Sequence, residues 1–346
     1  MRKLIILLVS IIIITMVFTG CFTAGEPESI EKSITIIDST GKYVELKLPV
    51  ERIVSLNSGM STLICAFGDS DKIVGRSTLS VFPSSLEGIE IVGERSSKPN
   101  MELIVQLEPD LLVADTQLKD EDREKLESLG IQVIVEPTSD PDRIFFIIRN
   151  FGLLLEKQEK AEEIIACMES YLNIVHERIA RLELEKADFP TVYFEYWNDF
   201  KSISAQSSMH KSVVAAGGIN IAAAEPFKIP KLSPEYILEK NPQIIVKRAS
   251  RVSDLKELEL IREEIMSTVG LKEVNAVKEE NVYIFKSDIF LILNYPVGLS
   301  YYAKWFHPVE FSDINPGEIH RNLVDKFFGD EEWDNIDKEI FIYPEE

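Results

Sequence analysis

Short apolar runs alternate with amphipathic stretches along most of this chain. Ile34-Thr-Ile-Ile-Asp, Ser39-Thr-Gly-Lys and Tyr43-Val-Glu-Leu-Lys-Leu predict a hairpin turning at Gly41. After it, Arg52-Ile-Val-Ser-Leu leads into a helix through Phe67, and Lys72-Ile-Val-Gly leads on to Glu90-Ile-Val-Gly. Asp110-Leu-Leu-Val-Ala-Asp precedes a helix over Asp120–Leu129, and Ile131-Gln-Val-Ile-Val-Glu closes the series. Apolar strands of four to six residues between helices predict a parallel sheet covered on both faces, hence an α/β lobe over residues 34–150.

From Leu153 to Phe189 there is neither glycine nor proline, and Ile164, Met168, Tyr171, Leu172, Val175, Ile179 and Leu182 recur at spacings of three and four. Glu156 and Lys160 add an i,i+4 pair. A helix from Leu153 to Ala187 would be roughly 50 Å long, too long for one small lobe, and Pro190 stops it. Residues 151–189 are therefore expected to form an interdomain strut; the seam lacks the sustained heptads of a coiled coil. A second α/β lobe, residues 190–346, begins at Thr191-Val-Tyr-Phe-Glu-Tyr-Trp. It continues through a helix at His210–Ala216, strands at Pro242-Gln-Ile-Ile-Val-Lys and Asn281-Val-Tyr-Ile-Phe-Lys, and helices near Val297–Phe306 and Pro316–Phe328.

The first residues follow another logic. Met1-Arg2-Lys3 is a positive segment, and the apolar run from Leu4 to Phe18 is about 15 residues, short of the ~20 that span a bilayer. Phe18-Thr19-Gly20-Cys21 resembles a lipobox, with Phe18 where leucine or valine is usual. Residues 1–20 are read as a signal peptide, Cys21 as the lipidated residue and 21–33 as a flexible tether. The alternative is an uncleaved anchor, and either way residues 22–346 lie outside the cytoplasmic membrane and attached to it. Cys65 and Cys167 sit in apolar stretches and form neither a disulfide framework nor a metal-ligand spacing.

Acidic side chains number 58 against 37 basic, a net charge of −21, which loss of residues 1–20 deepens to −23. With no basic stripe, nucleic acid is excluded as a partner. Ser208-Met-His-Lys211 matches the S-x-x-K pattern of penicillin-recognising enzymes, but two fixed positions recur by chance and the companion motifs are absent. Catalysis is not expected. The histidines, at 176, 210, 307 and 320, share no ligand spacing, so no metal site is expected and His307 is read as a helix-end residue.

The two halves share a signature. Met101-Glu102-Leu-Ile-Val-Gln-Leu-Glu-Pro109-Asp-Leu-Leu-Val113 sets against Pro234-Glu235-Tyr-Ile-Leu-Glu-Lys-Asn-Pro242-Gln-Ile-Ile-Val246, each a short helix opening with glutamate, then proline, then a buried strand. The helix dipole explains each glutamate alone; equal spacing in both halves points to a shared external partner. With Arg52-Ile-Val-Ser-Leu, Ile73-Val-Gly, Pro99-Asn-Met-Glu-Leu-Ile, the strut, Ala216-Gly-Gly-Ile-Asn and Trp305-Phe-His-Pro, in order behind a lipobox, the mature chain resembles the substrate-binding proteins of iron-complex and cobalamin ABC importers, the type with a single interdomain helix.

That resemblance implies two α/β lobes with mainly parallel sheets, joined by one long rigid helix, with the ligand cleft between them. It implies that Glu102 and Glu235 dock on a permease dimer served by a cytoplasmic ATPase, and that a monomer carries a ferric siderophore-like chelate, no cofactor being held. Cobalamin, haem or another metal-related solute is the alternative cargo, and a ligand-sensing lipoprotein uncoupled from transport the alternative role. Because ligands bind beyond the carboxyl ends of parallel strands, the expected contacts are Asn57, Ser58, Arg76, Arg95 and Ser97 in the first lobe, and Tyr196, Trp197, Arg248 and Tyr295 in the second. The loop Asn57-Ser-Gly-Met-Ser departs from the more usual Ser-Pro-Ser version, so contacts do not transfer from a relative. A stiff strut implies modest lobe closure.

Overall fold

The computed structural model describes residues 32–184, 188–196, 200–249, 252–336 and 342–344. The signal peptide, Cys21 and Trp197 lie outside the described residues. The chain opens with the expected hairpin, β1 (Lys32–Ile37) and β2 (Tyr43–Leu48), with Gly41 at φ 82°, where a glycine is needed. Lys32 and Ser33, expected in the tether, are already strand.

The first lobe then alternates as the apolar runs predict: β3 (Ile53–Ser55), α1 (Ser58–Ala66), β4 (Ile73–Ser77), β5 (Glu90–Gly93), α2 (Met101–Gln106), β6 (Leu111–Ala114), α3 (Asp120–Ser128), β7 (Gln132–Val135) and α4 (Ile144–Leu154). Its sheet is wholly parallel in the order β5-β4-β3-β6-β7. Arg123 of α3 pins the hairpin through a buried pair with Asp38, 2.8 Å apart.

The long helix differs from its expectation. It is α5 (Gln158–Leu184), 27 residues and so about 40 Å long, and it is separated from α4 by a tight turn. Glu156 takes the left-handed conformation (φ 55°), Lys157 N–H donates to Gly152 O at 2.7 Å, and Lys157 Nζ reaches Asp69 Oδ1 at 2.8 Å. The turn folds α4 back onto α5 so closely that a β-carbon on Gly152 would lie 2.6 Å from that of Ala161. The expected Glu156–Lys160 pair does not form; Glu156 pairs with Lys32 and Lys160 with Glu163.

The second lobe comprises β8 (Thr191–Glu195), α6 (Ser208–Ala215), β9 (Ile219–Asn220), α7 (Pro234–Lys240), β10 (Ile244–Ala249), α8 (Leu255–Ser267), α9 (Asn275–Lys278), β11 (Val282–Lys286), α10 (Tyr295–Phe306), α11 (Pro316–Phe328), α12 (Glu332–Asn335) and β12 (Ile342–Tyr343). Its sheet runs β12-β11-β10-β8-β9, parallel apart from β12. Helix α8, capped by Asp254 and burying Leu258 and Ile265, is an element the sequence reading did not single out.

Ala161, Ile164, Ile165, Met168, Leu172, Val175, Ile179 and Leu182 form one buried stripe on α5. They join a hydrophobic cluster that includes Leu63 and Phe151 of the first lobe and Phe194 and Tyr302 of the second. Toward its carboxyl end α5 is clasped by the second lobe: Arg178 bonds Asp313 and, at 2.8 Å, Glu310 O. Gly217, at φ 75°, leaves room for Ile179, whose Cδ1 would be 2.9 Å from an added β-carbon. We expect Ile164→Ala to cost about 2–5 kcal/mol in urea unfolding, and Glu177→Ala, on the exposed face, to stay within about 0.5 kcal/mol. Equal effects would show that the stripe is not a core.

Candidate functional site: the seam between the lobes

The lobes meet where the amino end of α1 faces the loop between β11 and α10. Ile292 N–H donates to Thr138 O at 2.9 Å across the seam, and Gly59 approaches so closely that a β-carbon there would sit 3.2 Å from those of Leu291 and Thr138. Beside this contact lies a cavity of about 230 Å³ lined by Ser58, Thr62 and Phe82 from the first lobe and Lys286, Asp288 and Asn294 from the second. Its far wall is His320 and Ile336, from the end of the chain. There α11 and α12 reach over to the first lobe. Phe328 packs edge-on against Phe82 with ring centres 5.1 Å apart. The buried Glu332 accepts from Ser84 N–H at 3.0 Å and from the Ser84 hydroxyl. Sequence reading missed this wall, because nothing local marks a contact between residues 84 and 332.

The predicted contact residues divide. Ser58 lines the cavity, but Asn57 is buried and committed: its Oδ1 accepts from Met60 N–H and its Nδ2 donates to Thr138 Oγ1, both at 3.1 Å. Arg76 donates to Ser80 O at 3.0 Å and Arg95 pairs with Glu94 at 2.9 Å, and the buried Nε of each lacks a partner among the described residues. Ser97 is half-buried in the loop after β5; its neighbour Ser96 is buried, donating to Leu56 O and accepting from Asp115 N–H. Burial raises the Asp115 carboxyl above its usual range against the bonds from Gln117 and Ser96 and the charge of Arg95.

In the second lobe the Arg248 guanidinium lies 4.7 Å from the Tyr196 ring centre and Arg248 Nε donates to Ser287 Oγ at 2.8 Å. Tyr295 is elsewhere. It is buried, burial pushes its phenol up to about 12, and it lines a separate cavity of about 240 Å³ on the strut side with Leu172 and Lys211. Lys211 is spanned by Asp140 Oδ1 at 2.8 Å and Asp142 Oδ2 at 2.6 Å, a second polar tie between lobes that also leaves it unfit as the base of an S-x-x-K site. His307 caps α10 and its Nε2 lies 3.2 Å from Gly217 O, as a helix-end residue should.

The two signature glutamates are equivalent in three dimensions. Glu102 and Glu235 are both exposed in the first turn of a short helix. Each helix has a side-chain cap, Asn100 accepting from Leu103 N–H at 3.2 Å and Ser233 from Tyr236 N–H at 3.1 Å. Each leads to the strand beside the first parallel strand of its lobe, β6 next to β3 and β10 next to β8. Its own backbone N–H and Ser233 hold the Glu235 carboxyl below its usual range, so it is charged at neutral pH.

Two α/β lobes on one long helix, with a cavity at their seam and matched acidic helix starts, define a two-lobed solute-binding protein. A family model described as periplasmic binding protein matches residues 53–289, and the chain belongs to that family. An uncharacterized ABC transporter substrate-binding lipoprotein of Bacillus subtilis, YvrC, is 24% identical over 260 residues, 74% of this chain and 79% of its own. A cobalamin-binding protein of Halobacterium salinarum is 25% identical over 217 residues, 62% of this chain and 58% of that protein. The crystal structure of the TroA-like periplasmic binding protein FepB from Veillonella parvula superposes with a TM-score of 0.69 at 25% identity, covering 86% of this chain and 96% of that one.

Glu332→Ala would strand the Ser84 donors at a buried contact. The expected cost is about 1–3 kcal/mol in urea unfolding, and unchanged stability would show that α12 does not close the cavity.

Proposed function

We propose that this chain is the extracytoplasmic capture subunit of an ABC importer, lipid-anchored through Cys21 after loss of residues 1–20, and that it delivers a metal chelate, foremost a ferric siderophore-like complex, to a permease dimer. The family works with a permease and its ATPase, and its members are solute-binding proteins rather than enzymes. The observation that carries the delivery role is the matched pair Glu102 and Glu235, exposed at equivalent positions of the two lobes. Charges so placed set docking orientation and encounter rate more than affinity. A metal-complex cargo is supported by the relative named for cobalamin binding, and cobalamin or haem remains the second reading for it.

In this reading Ser58, Arg76, Arg95 and Ser97 serve the first-lobe wall and Tyr196, Trp197 and Arg248 the second, whereas Asn57 and Tyr295 act through the fold. Intrinsic tryptophan fluorescence, titrated with ferric siderophores, haem and cobalamin, should show saturable quenching by one of these classes, with inner-filter controls. Silence toward all of them contradicts a metal-complex cargo. Charge reversal at both docking positions, Glu102→Lys with Glu235→Lys, should abolish uptake into cells carrying the permease and leave ligand affinity unchanged. Loss of affinity in that variant would remove those glutamates from docking.

A further inference from the structure

The seam cavity is a side chamber to the strand ends. Among the described contact residues expected from sequence, only Ser58 lines it, and its far wall, His320 and Ile336, lies beyond the residues 53–289 that the family model matches. Six apolar side chains face it: Leu79, Val81 and Phe82 from the loop after β4, Leu291 and Leu293 from the β11–α10 loop, and Ile336. The polar groups in the same wall are engaged with the protein. Thr62 Oγ1 lies 3.0 Å from Ser58 O and 3.1 Å from Phe82 O, one donor between two acceptors. Asn294 Nδ2 donates to Asp288 O at 3.2 Å, and Asn335 Nδ2 to Glu332 Oε2 at 3.4 Å. Lys286 and Asp288, one base and one acid, pair at 3.2 Å, and the buried His320 ring stands edge-on to Trp333. Such a wall offers a guest apolar contact rather than charge or hydrogen bonds.

The mouth and the size point the same way. Leu79 and Val81, at the rim, are 54% and 69% exposed, adjacent apolar surface that a guest would cover. Pockets that take a whole drug-sized ligand measure about 300–1,000 Å³, whereas an apolar cavity of about 150 Å³ takes benzene. At about 230 Å³ the chamber is too small for a whole siderophore complex or corrinoid. By the benzene ratio it holds an apolar group of about nine carbons.

We infer that the cargo is amphipathic: its metal-binding core sits at the strand ends, and an uncharged alkyl, acyl or aryl arm enters the seam cavity past Leu79 and Val81. This rests on the metal-chelate reading above and adds to it a second, apolar subsite. Each methylene buried there tightens binding by about fourfold at most. The gain stops when the chamber is full, so the cavity measures the arm as well as holding it.

The test uses the purified chain and one ferric linear trihydroxamate carrying an N-acetyl, N-octanoyl or N-dodecanoyl group, all three complexes uncharged. The octanoyl complex should bind about tenfold or more tighter than the acetyl complex, and the dodecanoyl complex no tighter than the octanoyl. Leu79→Asp with Val81→Asp should erase the octanoyl gain without moving the acetyl affinity. Leu79→Met with Val81→Ile should keep the gain, and an unchanged melting temperature checks the fold of both variants. Toluene probes the chamber without any metal: methyl NMR should show saturable shifts at Leu291, Leu293 and Ile336. Absence of those shifts, equal acetyl and octanoyl affinities, or affinity that keeps climbing at dodecanoyl overturns the subsite and leaves the metal-chelate reading standing. Saturable toluene binding, with no binding of the trihydroxamates, haem or cobalamin, upholds the chamber and overturns the metal-complex reading instead.

Discussion

Everything in this molecule depends on the buried stripe of α5. A helix about 40 Å long held only at its ends would leave each lobe free to pivot about its own attachment, yet the stripe from Ala161 to Leu182 is buried by side chains of both lobes. The amino end is locked by the turn at Glu156 and the Lys157–Asp69 pair, and the carboxyl end by Arg178, Asp313 and the space left at Gly217. Each lobe keeps a cluster of its own, around Ile104 and Leu112 in the first and Ile237 and Leu258 in the second, but both also share the cluster around α5, so moving one against the other means breaking packed apolar contacts, not merely bending a linker.

That shared core fixes the seam. With the lobes set by α5, the amino end of α1 meets the β11–α10 loop at Gly59, Thr138 joins both sides, and Lys211 and Glu332 tie the two flanks. What remains open is the cavity beside this contact, while Glu102 on α2 and Glu235 on α7 stand exposed on the outer surface of their lobes. Under the proposed function, such rigidity would let a carrier present the same face to a permease on every delivery.

How much of this was legible in the sequence follows from how local each feature is. The strands declare themselves as short apolar runs between turns, and alternation with helices predicts that they run parallel, though not their order; the glutamate-first helices recur because each leads to the strand beside the first parallel strand of its lobe. The turn between α4 and α5 left no mark because its left-handed residue is Glu156 rather than glycine. The strand-end rule reached Ser58, which lines the seam cavity, but it does not tell such a side chain from one spent on its own helix, as Asn57 is, or one lining the strut-side cavity, as Tyr295 is. The closing wall from α11 and α12 was invisible, since a contact such as that of Ser84 with Glu332 is purely tertiary.

The central claim is that the core shared along α5 joins the two lobes into one body, so that Glu102 and Glu235, the proposed docking residues, keep a spacing that cargo does not change. The direct measurement is the distance between spin labels at Glu102→Cys and Glu235→Cys, in a chain starting after Cys21 with Cys65 and Cys167 replaced by alanine, without and with saturating cargo. A single narrow distribution that shifts by no more than a few ångströms is the result expected. A broad distribution without cargo, or a shift approaching the ~10 Å diameter of a helix, would mean that the lobes swing independently and that α5 does not unite them.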